Sequence, residues 1–156
     1  MTVTFLVEEI AKKIRIAVKD YKLIAENQDK KQVSVYEYDI PYGDSETDSY
    51  IPYVIVSPKL IDLVERDSIA TISIMIATYS GMAGNDWRDM LSISERIRQV
   101  IYTNFVIAEK FLWENRFNWQ PVSTDQPSPF IIGYIETDYR IATPEPEIRF
   151  PRVREN

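Results

Sequence analysis

Ile69-Ala70-Thr71-Ile72-Ser73-Ile74-Met75-Ile76-Ala77-Thr78-Tyr79 is the stretch on which the fold turns. Successive side chains of a strand point to opposite faces, so Ile72, Ile74 and Ile76 share one face and Thr71, Ser73, Met75 and Ala77 the other. A sheet with one apolar face needs a cover, and two flanking segments can supply it. Segment 4–26 repeats Leu6, Ile10, Ile14, Ala17 or Val18, Tyr21 and Ile24 at three- and four-residue steps. Thr4 can cap it. Glu8 and Glu9 come early and Lys19 and Lys22 late, which suits the helix dipole, and Asn27 is its natural stop. Segment 87–104 carries the stripe Trp87, Met90, Ile97, Val100 and Ile101. Asp86 and Asp89 precede and open it as an acidic variant of the capping box.

The remaining strands read outward from these. Residues 33–40 alternate, and residues 51–57 follow an acidic break, with Pro52 marking a strand start or an edge and Pro58 a stop. Segment 59–67 fits a helical turn or a loop. Segment 111–120 alternates Phe111, Trp113, Phe117 and Trp119 against Glu114, Arg116, Asn118 and Gln120, and residues 130–142 form the last strand. Lys30-Lys31-Gln32 reads as a polar connector, residues 81–84 as a flexible one, and residues 121–129 as a turn-rich loop. The order is helix, three strands, helix, two strands. It predicts an α+β fold: a single largely antiparallel or mixed sheet with two amphipathic helices packed on one face. Residues 1–143 form that one domain. Pro144, Pro146 and Pro151 make residues 144–156 an extended C-terminal segment reaching about 40 Å.

Composition narrows the function. The chain has 156 residues, 45% hydrophobic and 27% charged, which is ordinary for one globular domain. A chain of this size buries roughly 68–70% of its unfolded surface without staples. It has no Cys and no His, which removes disulfides, thiolate and imidazole metal sites and His-based triads. The net charge of −6 makes its average surface a poor grip on nucleic-acid phosphates, but suits a wall that nucleic acid passes without sticking. No apolar run approaches the roughly 20 residues of a membrane span. The N-terminus lacks the features of a signal peptide, so the expected compartment is the cytoplasm.

Few residues suggest chemistry. Asp44, Glu46 and Asp48 alternate like a calcium loop, but Ser49 and Ile55 stand where the loop needs Gly and Glu, so a solvated acidic loop or a subunit contact is the simpler reading. No glycine pattern suits a nucleotide. Helix capping accounts for Asp86 and Asp89. Glu136 and Asp138 share a strand face, where they would either raise each other's pKa or pair with Arg140 and solvent. Trp113, Phe117 and Trp119 suit a core or a subunit interface better than a ligand groove. Ile148, Phe150 and Val153 are large apolar residues on a Pro-rich terminus, and either fold back or dock on another chain. No cofactor, metal or catalytic residue is expected.

The run Ile51-Pro52-Tyr53-Val54-Ile55-Val56, then Ile72 to Tyr79, then Asp86-Trp87-Arg88-Asp89-Met90-Leu91 with Ile97-Arg98-Gln99, then Phe130 to Thr137 before Pro144-Glu145-Pro146, resembles the tail terminator, or tail completion, proteins of long-tailed bacteriophages. The resemblance spans residues 50–147 and carries no catalytic signature. It implies a virion protein at the neck or tail end, assembled in the host cytoplasm. Such proteins form a homo-oligomeric ring, typically a hexamer, on the tail tube protein. They stop tube polymerisation and offer a surface to the head completion or connector protein, while DNA transits the lumen without sequence-specific binding. They are not enzymes and bind no membrane. A head–tail stopper is the neighbouring reading, and a small carboxylate-dependent hydrolase using Glu136 and Asp138 is the distant one. A monomeric ligand-binding module using Trp113 and Trp119 is a further alternative. A cyclic ring needs two unlike patches that meet head to tail. The candidates for contact are Tyr42, Asp44, Tyr50, Met82, Trp87, Arg88, Ile148, Phe150 and Val153.

Overall fold

The computed structural model describes residues 2–24, 30–40, 51–64, 67–79, 87–122 and 130–143. These run α1 (Val3–Ala17), β1 (Lys22–Ile24), β2 (Lys30–Gln32), β3 (Ser34–Glu37), β4 (Tyr53–Val64), β5 (Asp67–Tyr79), α2 (Trp87–Thr103), β6 (Val106–Ile107), β7 (Phe111–Pro121) and β8 (Phe130–Ile141). β5 is the centre. It pairs antiparallel with β8, in a register that sets Ile74 opposite Ile135 and Ala70 opposite Tyr139, and antiparallel with β4, which sets Val54 opposite Ile76. The sheet order is β3-β4-β5-β8-β7-β6, and β3–β4 is a parallel pair. The fold is α+β, with one main sheet and two helices.

Alternation along β5 decides which face is covered. Ala70, Ile72, Ile74 and Ile76 join Val54, Val56, Ile131, Ile135 and Tyr139 in one core. Into it α1 drops Leu6, Val7, Ile10, Ala11 and Ile14, and α2 drops Met90, Ile93, Ile97 and Ile101. Both helices therefore lie on the same face, and each large aliphatic buried there contributes about 1.5–3 kcal/mol. The opposite face holds a smaller apolar cluster at one end: Ile51, Tyr53, Ile55, Ala77 and Tyr79, backed by Met75, Phe130 and Ile132. Gly133 on β8 is fixed by packing. A Cβ there would stand 3.1 Å from Trp119 Nε1 and 3.3 Å from Met90 Sδ, so the indole and the thioether occupy the space a side chain would take.

Several sequence expectations give way. The first helix ends at Ala17 rather than running to residue 26, and Thr2, not Thr4, is its N-cap residue, without a side-chain cap bond. Its C-terminal end is closed by its own Val18 N–H, which donates to the Ile14 carbonyl at 3.0 Å, and by Arg96 of α2, which donates to the Ala17 carbonyl at 3.0 Å while lying over the Tyr21 ring. Residues 22–24 then pair antiparallel with residues 30–32 as a separate ribbon, so Lys30-Lys31-Gln32 is a strand and not a connector. These partners outweigh the apolar spacing of Tyr21 and Ile24, which a single sequence cannot distinguish from another helical turn. Asn27 lies outside the described residues. The strand expected over 33–40 is shorter, and Tyr38, directly after it, takes φ 69°.

Pro58 does not stop β4. The strand runs on to Val64 and makes a hairpin with β5, with a register shift between Pro58 and Leu60. Residues 59–64 are thus strand, neither helical turn nor loop, and residue 67 opens β5; residues 65 and 66 lie outside the described residues. The carbonyls of Pro52 and Val56 accept from Ser34 and Tyr38 on the β3 side, so Pro58 takes the next position pointing away from β5. A missing N–H there removes no ladder bond, which is why edge strands tolerate proline.

Two substitutions test this packing. The Tyr139 hydroxyl is buried without a hydrogen-bond partner, and burial pushes its phenol above the ordinary pKa. Since an unpaired buried polar group costs about 1–3 kcal/mol, Tyr139→Phe should leave stability unchanged or raise it. Gly133→Val should cost about 1–3 kcal/mol through overpacking against Trp119. Denaturant unfolding reads both.

Candidate functional site

The face of the sheet away from the helices gathers the charged side chains. Glu136 and Asp138 stand two apart on β8, and β7 bends to serve them. Between Trp113 and Phe117 the β7–β8 register shifts, so residues 114–116 pass opposite Asp138, with Asn115 at φ 57°. Trp113 shares its indole N–H between Thr137 Oγ1 (2.9 Å) and the Arg116 carbonyl (3.2 Å), and the Thr137 hydroxyl donates to that same carbonyl at 2.8 Å. The bulge keeps Trp113 and Phe117 on the helix side while clamping the Arg116 backbone. Its guanidinium then lies across the carboxylates: Nη2 donates to Glu136 Oε2 at 2.9 Å and Nη1 to Asp138 Oδ1 at 3.1 Å. Lys59 of β4 donates to the other Glu136 oxygen, and Thr71 of β5 to Asp138 at 2.7 Å. Arg140, the partner expected from sequence, turns instead to Glu114 at 2.7 Å and Asp67 at 3.7 Å.

This arrangement favours the Glu136 carboxylate as an anion. The hydrogen bond from Lys59, and then the one from Arg116, keeps the Glu136 carboxyl below its ordinary range against the opposing effect of burial. The hydrogen bond to Glu136 in turn raises the Arg116 guanidinium. The upward shift that a neighbouring carboxylate would cause does not develop at Glu136. A shallow cleft of about 390 Å³ adjoins the site, lined by Ser57, Lys59, Ser73, Tyr134 and Glu136 among others.

A wider depression of about 1260 Å³ runs along α2, bordered by Arg88, Arg96, Arg98, Phe117 and Trp119. Two of its arginines are engaged, Arg96 with Ala17 and Tyr21, and Arg98 in a two-pronged pair with Glu95 at 2.8 Å. Trp113 is buried in the core, whereas Phe117 and Trp119 pack against it half-buried. Of the contact residues expected from sequence, Trp87 opens α2 and meets Trp119 edge-on at 6.4 Å, and Arg88 beside it is exposed. Tyr42, Asp44, Tyr50, Met82, Ile148, Phe150 and Val153 lie outside the described residues, as does Asp86.

Sequence reasoning flagged the second strand as a possible edge through Pro52, but missed the apolar extension of that edge beyond Pro58 and the opposite margin of the sheet. β3 covers β4 only along Tyr53–Val56, and among the described residues no strand pairs with the outer side of β4 from Ser57 to Leu63. There Leu60, Ile61 and Leu63 are 54%, 56% and 63% exposed. At the opposite margin β6 pairs only with Phe111 and Leu112, and Phe105, Val106 and Leu112 are exposed. The apolar run Leu60-Ile61, Leu63-Val64 was the available signal for the first margin, lost when Pro58 was read as a stop. No family model matches the chain, and no curated protein matches it in sequence. Among the described residues no helix is long and apolar enough to cross a membrane.

Because the folded Glu136 carboxyl titrates below its unfolded value, its ion pairs contribute stability that is fully present above the ordinary value of 4.5 and is lost as pH falls through the folded value. Glu136→Gln should therefore cost about 1–2 kcal/mol at pH 7 and progressively less as pH falls below 4.5. Urea unfolding of both proteins across that range measures the difference.

Proposed function

We propose that this chain is a structural assembly protein, a ring-forming tail terminator of a long-tailed phage. In this reading it sits at the neck of the virion. It caps the tail tube, stops its polymerisation and presents a joining surface to the head, while DNA passes through the lumen. The observation that carries the reading is the pair of unlike apolar margins on opposite sides of one sheet: Leu60, Ile61 and Leu63 on β4, and Phe105, Val106 and Leu112 around β6. A head-to-tail ring needs two different patches of this kind, since its interface joins one surface to another and not to itself. Long apolar sheet edges are a liability in a lone subunit and are normally blunted or covered. The resemblance over residues 50–147 and the acidic balance of the chain favour the same reading.

The stopper reading places the same ring on the head side and differs only in partner. The hydrolase reading is less well supported. A general acid working near neutral pH needs a raised pKa, whereas Glu136 is held low between Lys59 and Arg116.

Light scattering, with and without tail tube protein, tests the proposal. The chain should appear at one fixed multiple of 18.3 kDa, alone or once tube protein is added, and Leu60→Asp with Leu63→Asp should reduce it to the single chain. A wild-type chain that stays monomeric in both conditions would contradict the ring. Capture by portal or adaptor protein in place of tube would favour the stopper.

A further inference from the structure

We infer that the open edge of β4 receives residues 147–150 of a neighbouring copy as an added strand, an inference that rests on the ring reading and names one of its junctions. The receiving edge has a defined pattern. Pro58 points away from β5, and the register shift at Lys59 changes the phase, so that Leu60 and Asp62 then face Thr71 and Ile69 of β5. The backbone groups left pointing outward are those of Ile61 and Leu63. Their side chains lie on the helix side of the sheet, since Ile61 stands opposite Ala70 and Leu63 opposite Ser68. Asp62 lies between them on the other face.

The donor is legible in the terminal sequence. Pro146 and Pro151 bracket Glu147-Ile148-Arg149-Phe150, the first four-residue run after β8 whose members all keep an N–H for a ladder. Ile148 and Phe150 alternate with Arg149 at strand period. Laid antiparallel on β4 with Ile148 opposite Leu63, the segment sets Phe150 beside Ile61 and Arg149 beside Asp62, so apolar and charged positions match together. An extended segment that adds main-chain hydrogen bonds at an edge, with alternate side chains for specificity, is a common mode of recognition.

The exit point argues for a second copy over the same one. Thr143 is tied to Ser68, accepting from its N–H at 3.0 Å, so the chain leaves the sheet at the tip of the β4–β5 hairpin, on the β8 side. Returning to its own β4 edge means passing β5 and β4, three strand spacings or about 14 Å, and reversing direction. Three residues at a polyproline rise reach about 9 Å, less than that distance, so Pro144-Glu145-Pro146 is too short a tether for its own edge.

Amide hydrogen exchange on the full chain, run at assembling concentration and again after dilution to monomer, tests this. In the assembled chain the amides of Ile61 and Leu63 should exchange at least tenfold more slowly than in Ile148→Asp with Phe150→Asp, while those of Ile72 to Ile76 stay unchanged. Asp62→Arg and Arg149→Asp should each weaken assembly about threefold or more, and the two together should recover it. An assembled wild type whose Ile61 and Leu63 amides exchange as fast as in the tail variant would overturn this junction and leave the ring standing. Protection that persists in the monomer would also overturn it, by placing the segment on its own edge. A chain that never assembles would remove the ring reading as well.

Discussion

α1 and α2 cover one face of a six-stranded sheet, and the reach of that cover governs the rest of the molecule. Beneath the helices the sheet can be almost wholly apolar, with Ile72, Ile74 and Ile76 of β5 against Ile135 and Tyr139 of β8. Beyond them it cannot. The far half of β4 carries Ile61 and Leu63 on the covered side of the sheet, yet both remain largely exposed. Hydrophobic burial is non-directional and follows area removed from water, so an uncovered aliphatic row invites another surface.

The opposite face obeys a different constraint. Among the described residues no helix covers it; one end buries the cluster of Ile51, Ile55, Ala77 and Tyr79, and the rest meets water through ion pairs centred on Glu136. Arg116 and Lys59 come from strands on either side of the β5–β8 pair, so the network ties β4, β5, β7 and β8 across the sheet. Each carboxylate has a cation in contact, and Glu136 is held below its ordinary pKa by its two. A site meant to move protons would leave one carboxyl free to titrate near the working pH. The chemistry of this face is that of a brace.

How much of this was legible depended on whether the signal was local. The alternation of residues 69–79 and the apolar stripe of residues 87–104 identified β5 and α2 to within two residues at each end, because the periodicity in each is strong and unbroken. The end of α1 was not legible, since Tyr21 and Ile24 keep the helical spacing while Arg96, 79 residues away in sequence, takes the carbonyl at which the helix stops. Pro58 misled for a related reason: a proline terminates a central strand, and only the pairing of β3 shows that β4 is an edge at that point. Arg116 was invisible as the partner of Glu136 and Asp138 because a bulge, which no residue pattern announced, delivers it. Seven of the nine candidate contact residues lie outside the described residues; Pro52 marked the second strand as a possible edge, while its apolar residues beyond Pro58 and the margin at β6 entered only with the structure.

Assembly against catalysis is the choice on which the account stands, and tube length reads it most directly. Tail tubes polymerised from the phage's own tube protein, with this chain supplied or withheld, can be measured by electron microscopy. The account predicts tubes of one length bearing a ring at a single end when the chain is present, and overgrown tubes of scattered length when it is absent. Equal length distributions in the two preparations, with no density at the tube end, would contradict it.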